Sequence, residues 1–168
     1  MSRLEDREHF GSLRTAPPNF RRSVSVWDVV DGVVEFPDGR RVRGSGLRRP
    51  RRDILAPDFA IYLLGRDPRI ENWPYRWVRW RDFRSPDSTE DTLAALRHAH
   101  TRAEFERIEI ACGGGIGRTG TALSILAVMS GVDADNAVAW VRAHYHPRSV
   151  ETGRQRQWIE DVSALLSS

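Results

Sequence analysis

Lysine is absent from this chain: every one of its 26 Lys+Arg residues is arginine. A Walker-type nucleotide loop sets a lysine against the phosphates, so that class is excluded at once. The arginine bias reads first as compositional drift. Bidentate recognition of phosphate is the functional alternative, and one or two arginines satisfy it. Cysteine is almost as scarce. The single Cys112 forms no internal disulfide, which suits a reducing compartment and excludes chemistry built on a relay of thiols. No apolar run has the length of a membrane span, and Met1 to Phe10 is mostly charged where a signal peptide would be apolar. The expectation is a cytoplasmic protein with no membrane partner.

What is present describes one globular unit. A chain of 168 residues with a 40% hydrophobic share can bury a sizeable core. Residues 1–20 are polar and run into Thr15-Ala16-Pro17-Pro18-Asn19, so they are expected to form a flexible arm before a single domain over 21–168. Alternation and two turn signals, Asp31-Gly32 and Pro37-Asp38-Gly39, predict a small antiparallel meander: Ser23–Val30, Val33–Phe36 and Arg40–Arg43, broken by Gly44-Ser45-Gly46. Further strands are predicted at Ala60–Leu64, Arg76–Trp80 and Arg107–Ala111. Helices are predicted at Thr89–Arg102 behind a Ser88/Asp91 capping box, after Gly120, at Ala134–Tyr145 behind Asp133, and at Arg154–Leu166, the last burying Trp158, Ile159, Val162 and Leu165. The fold class is therefore α/β, a central mostly parallel sheet flanked by helices, with the meander at its N-terminal edge.

The chemistry concentrates in Ala111-Cys112-Gly113-Gly114-Gly115-Ile116-Gly117-Arg118-Thr119-Gly120. A strand ends in a glycine-rich turn that opens a buried helix. The free N–H groups of that helix start and its dipole make an anion site. A thiol held there is favoured as thiolate, the nucleophilic form. Gly113, Gly114, Gly115, Ile116 and Gly117 supply backbone amides, with almost no Cβ to block a phosphate, and Arg118 supplies a planar fork of donors. The arrangement is a nucleophile inside an oxyanion cradle.

Cysteine, five residues, arginine and then threonine resembles the signature loop of the cysteine-dependent protein tyrosine and dual-specificity phosphatases. Trp80-Arg81-Asp82-Phe83-Arg84-Ser85-Pro86 is similar to that family's general-acid loop, with Arg81 where a proline is usual. Val150-Glu151-Thr152-Gly153-Arg154-Gln155 is similar to its downstream glutamine segment, with Glu151 in place of the first glutamine. The likeness runs from about Tyr75 to the C-terminus. It implies Cys112 as nucleophile, Arg118 and the loop amides as phosphate binders, and Asp82 as general acid and then base. It also implies that the Thr119 hydroxyl serves the sulfur; a plain helix cap is the alternative. Gln155 and Glu151 are candidates to position the hydrolytic water, and surface helix residues on the other reading. Asp87 competes with Asp82 but fits the helix start better. Where the family has histidine before the cysteine, this chain has Ala111.

The resemblance implies a phosphomonoester hydrolase without cofactor or metal, working through a phosphocysteine. Phosphotyrosine in proteins is the first candidate substrate; dual-specificity or RNA 5′-phosphatase activity is the alternative. A non-catalytic phosphate-reading module comes from another class, but such a module has no need of a nucleophile or an acid. The run Arg48-Arg49-Pro50-Arg51-Arg52 reads as a solvated face, or else as a basic rim for a phosphorylated partner. Without interleaved aromatics it makes nucleic acid a secondary partner. His98/His100 and His144/His146 point apart on a helix and carry no metal reading. Gly115-x-Gly117-x-x-Gly120 also spells a dinucleotide motif, but the segment after it looks helical where a second strand is needed.

Overall fold

The computed structural model describes residues 24–52 and 54–168; the expected arm over 1–20 lies outside them. Five strands form one sheet: β1 (Val33–Glu35), β2 (Arg41–Gly46), β3 (Phe59–Leu64), β4 (Tyr75–Arg79) and β5 (Ile108–Cys112). Their spatial order is β1-β2-β5-β3-β4, with β1 antiparallel to β2 and every other pair parallel. The four helices are α1 (Thr89–Arg102), α2 (Gly117–Met129), α3 (Ala137–His144) and α4 (Gly153–Leu166). This is the mixed α/β layer structure that the element pattern predicted.

β5 lies at the centre of the sheet and is covered on both faces, with Glu109 as its one charged residue. All five of its residues are buried. On one face Ile108, Ile110 and Cys112 join the core with Leu123, Leu126, Trp80 and Ile159. On the other, Ala111 packs with Ala60 and the fully buried Tyr62. Thus the position before the cysteine is filled by an alanine beneath a tyrosine whose hydroxyl accepts from Trp73 Nε1 at 3.0 Å. α2 is also buried nearly all round, from Gly117 to Ala127. It is the helix against which the other helices pack.

The meander needs correction. No strand forms over residues 24–30, and Ser23 lies outside the described residues. Trp27 holds this segment instead: its buried ring donates to Ile108 O at 2.8 Å, a side-chain anchor where a ladder was expected. The hairpin at Pro37-Asp38-Gly39 does form, with Gly39 at φ +86° and Phe36 N donating to Arg40 O at 2.9 Å. Gly44-Ser45-Gly46 does not break the pattern. These residues continue β2 in parallel register with β5, Gly46 opposite Cys112, because the neighbouring strand supplies the ladder that their own composition does not favour.

Smaller departures are local. The turn before α3 is a 3₁₀ turn, Ala134–Asn136, and Asp133 makes no side-chain cap there. Ser88 Oγ accepts from Asp91 N at 3.1 Å, but the Asp91 carboxylate pairs with Arg76 and leaves the capping box half made. Leu165 is exposed, and Leu166 takes the core-facing place in the last turn of α4. No strand follows α2 among the described residues, so the dinucleotide reading lacks its second strand.

Candidate active site

The cysteine loop sits at the C-terminal end of β5, where parallel α/β sheets place their ligands. Cys112 is 2% exposed. Its sulfur is not turned away from the loop: Gly115 N–H and the Thr119 hydroxyl each donate to Sγ at 3.1 Å. Two donors thus converge on one sulfur at the loop's inner face. Gly115 takes φ +75°, and a Cβ there would run into the backbone of Ser45 and Gly46 at 2.6–2.8 Å, so only glycine fits this bend. α2 begins at Gly117 with no side-chain cap and no acid in its first turn, which leaves its N-terminal amides open to an anion.

Arg118 is 5% exposed. Nη1 donates to Trp80 O at 3.0 Å, Nη2 stands 3.5 Å from Asp82 Oδ1, and Nε is buried with no partner. A buried guanidinium with an unpaired donor is costly to leave unmet, and a phosphate oxygen would meet it. One arginine thus ties the Cys112 loop to the segment that carries Asp82. The Asp82 side chain is 41% exposed, and its Oδ1 also accepts from Phe83 N at 3.0 Å.

That segment is anchored at both ends. Trp80 is fully buried, stacks obliquely on Trp158 at 5.2 Å, and its Nε1 donates to Arg84 O at 2.6 Å. Phe83, at φ +60° and exposed, has its carbonyl taken by the Thr152 hydroxyl at 3.2 Å. Asp87, the competing acid, lies 3.4 Å from Arg79 and 3.7 Å from Arg81, and so belongs to a different set of charges. Arg81, where a proline was usual, is one half of that pairing.

Glu151 and Gln155 part company. Gln155 is fully buried, and its Oε1 accepts from Glu151 N at 2.8 Å and Thr152 N at 3.3 Å. With Thr152 Oγ1 accepting from Gln155 N at 3.2 Å this is a complete capping box. Its Nε2 is buried and unpartnered. The Glu151 carboxylate lies against Gly117, close enough that a Cβ on Gly117 would collide with it. The turn that carries it is held by Arg142, which donates to Ser149 O at 2.8 Å and Val150 O at 2.9 Å, with Val150 at φ +65°.

Sequence reasoning missed three residues that shape this site. Arg142 and Tyr145 read only as residues of the helix predicted over Ala134–Tyr145. The Tyr145 hydroxyl donates to Gly115 O. Glu109, buried in β5, accepts from Arg43 at 2.9 Å, Ser45 at 2.8 Å and Arg51 at 2.6 and 2.8 Å. Arg51 therefore turns inward from the arginine run, over the face of Trp73 at 5.0 Å; the run is not a uniformly solvated face. Arg48, at the start of that run, is laid over Gly113.

Of the histidines, His98 packs edge-on to Phe59, His100 meets Asp38 and Ser130 at 3.1 Å, and His144 stacks on Trp140. Among the described residues no three His, Cys, Asp or Glu side chains group as metal ligands, and no helix is long and apolar enough to cross a membrane.

A glycine-rich loop joining a parallel strand to a buried helix, with a cysteine at its start and an arginine facing an aspartate, defines a phosphatase-like site. The protein-tyrosine phosphatase family model matches residues 51–159, and the chain belongs to that family. Among solved structures it resembles Tk-PTP in its active form, with 26% identity and a TM-score of 0.61 over 78% of this chain and 96% of that one. A glycine-to-alanine mutant form of Tk-PTP aligns at 24% identity and a TM-score of 0.63, over 80% and 96% of the two chains. DUSP15 shares the fold at 13% identity and a TM-score of 0.53, over 66% and 72%. No curated protein matches the chain.

Proposed function

We propose that this protein hydrolyses phosphomonoesters, first among them phosphotyrosine in proteins, through a phosphocysteine intermediate. The thiolate of Cys112 attacks phosphorus while the ester oxygen leaves. The loop amides and the free donors of Arg118 hold the equatorial oxygens, where electrostatic stabilisation contributes most. Asp82 gives its proton to the departing oxygen. It then takes one from the water that cleaves the phosphorus–sulfur bond, and inorganic phosphate, the Cys112 thiolate and protonated Asp82 result. The Thr119 hydroxyl stabilises the sulfur as it departs in that second step.

Glu151, standing against Gly117, is the better placed of the two water-positioning candidates. Gln155 spends its oxygen on the turn and keeps only Nε2 to offer. No step needs a metal or organic cofactor. A single free thiol suits a reducing compartment such as the cytoplasm.

The observation that carries this reading is the set of groups on one pair of residues: two donors on the Cys112 sulfur, and an Arg118 that spans to both Trp80 and Asp82. The test is hydrolysis of p-nitrophenyl phosphate and of a phosphotyrosine peptide. Wild type should turn both over, Cys112→Ser should turn over neither, and acid quenching during turnover should trap phosphate on Cys112. Tight phosphate binding without turnover would instead mark a phosphate-reading module. Dual-specificity activity is the second reading, favoured by the likeness to DUSP15, and a phosphoserine peptide tests it in the same assay.

A further inference from the structure

Arg48, in the arginine run after β2, stands at the mouth of the cysteine loop with no counter-charge among the described residues. Leu47 N donates to Cys112 O at 2.9 Å and Arg48 N to Gly113 O at 3.0 Å, so the β2–β5 ladder continues onto the loop itself. The Arg48 guanidinium then folds over Gly113. Its Nη2 lies 2.9 Å, and Arg118 Nη2 3.5 Å, from the point a Cβ on Gly113 would occupy. Two guanidinium groups therefore flank one spot on the loop. Arg118 is buried and engaged with Trp80 and Asp82. Arg48 is exposed, and its side chain has no hydrogen bond or ion pair among the described residues.

Three acids of this region are paired with other arginines, and Glu151 lies against Gly117 at the far end of the loop. Glu109 is held by Arg43 and Arg51, Asp82 faces Arg118, and Asp87 faces Arg79 and Arg81. The oxygens of a phosphate in the cradle have the loop amides and Arg118 beneath them. A cation on the outer edge faces whatever the substrate carries beside that phosphate. It also lies outside the stretch the family model matches.

We propose that Arg48 is a specificity-determining residue that reads a second anionic group next to the scissile phosphate, so that the favoured substrates are acidic phosphopeptides. This rests on the phosphatase reading. A peptide fits better than RNA, because the tryptophans beside the run, Trp73 and Trp27, already carry Arg51 and Arg43 on their faces and offer no ring to a base. An exposed charge pair is worth up to about 1 kcal/mol, so the discrimination it gives is roughly fivefold at moderate salt and shrinks as salt rises.

The test compares kcat/KM on three phosphotyrosine peptides of one length, flanked by Glu, Gln or Lys, for wild type, Arg48→Ala and Arg48→Glu. Wild type should prefer the acidic peptide by roughly fivefold, Arg48→Ala should abolish the preference, and Arg48→Glu should reverse it towards a Lys-flanked peptide. An acidic-to-neutral ratio unchanged by either substitution overturns the proposal. So does a loss equal on all three peptides, which would place Arg48 on the scissile phosphate itself, and so does preference for 5′-triphosphorylated RNA over every peptide. If wild type hydrolyses no phosphomonoester at all, it is the phosphatase reading that fails.

Discussion

The Tyr145 hydroxyl donates to the Gly115 carbonyl, joining the C-terminal cap of α3 to the bend of the cysteine loop. The ring behind that hydroxyl fills the space over Gly44, where a Cβ would meet it at 2.5 Å. Tyr145→Phe keeps the ring and removes the bond, leaving a buried carbonyl unpaired at a cost of about 1–3 kcal/mol. The expected result is a lower denaturation midpoint together with a several-fold fall in kcat, about 1 kcal/mol of transition-state stabilisation, on a fully folded sample. Loss of stability with kcat intact would show that the bond braces the fold and not the geometry of the loop.

All three tyrosines hold their protons more tightly than a free phenol. Burial raises Tyr145 most, with the Cys112 charge adding to it. Burial also raises Tyr62, and the Asp67 carboxylate raises Tyr75 through its hydrogen bond. A raised folded pKa stabilises the fold below the unfolded value near 10 and is lost as pH climbs through the folded values. Alkaline titration followed by phenolate absorbance should therefore show little ionisation at about pH 10 in the native protein, and three groups ionising there once it is unfolded in denaturant. Native ionisation at the ordinary value would contradict the buried placement of Tyr62 and Tyr145.

The Cys112 loop and its helix were legible in the sequence because their chemistry is local: glycines, a thiol and an arginine within one turn. The sheet behind them was less so. Gly44-Ser45-Gly46 has the composition of a turn, and only the strand pressed against it makes it a strand. Glu109 gave no local sign of its role, since its arginine partners lie 58 and 66 residues away. Gln155 illustrates the opposite fault. Thr152-x-x-Gln155 is a plain capping pattern, yet the family likeness drew attention to catalysis first. The sequence already favoured Asp82 over Asp87, but the arginines facing each, Arg118 for one and Arg79 and Arg81 for the other, appear only in the fold.

Asp82→Asn should separate leaving-group chemistry from binding. General acid catalysis typically contributes 10²–10⁴-fold, so kcat on a phosphotyrosine peptide should fall by about that much with KM little changed. The loss should be smaller for p-nitrophenyl phosphate, whose leaving group needs little protonation. An equal loss on both substrates would assign the proton to another group.

Glu109 is 2% exposed and holds Arg43 and Arg51 against one face of the sheet. Glu109→Ala leaves both arginines without their acid, and breaking a buried pair of this kind costs about 3–5 kcal/mol. The denaturant midpoint should drop accordingly, with Glu109→Gln intermediate. A midpoint unmoved by Glu109→Ala would mean that water already serves these arginines.

The last three residues of β2 carry almost no side chains, and that bareness governs the loop beside them. A Cβ on Gly46 would stand 2.6 Å from the Gly114 backbone, and one on Gly115 the same distance from Gly46 N. Two main chains lie flush, so neither can drift without dragging the other. Inheritance of this site therefore binds an inert strand as tightly as the reactive turn: a methyl group gained on a residue that takes no part in the chemistry would spread the nest of amides and spoil the grip on phosphate.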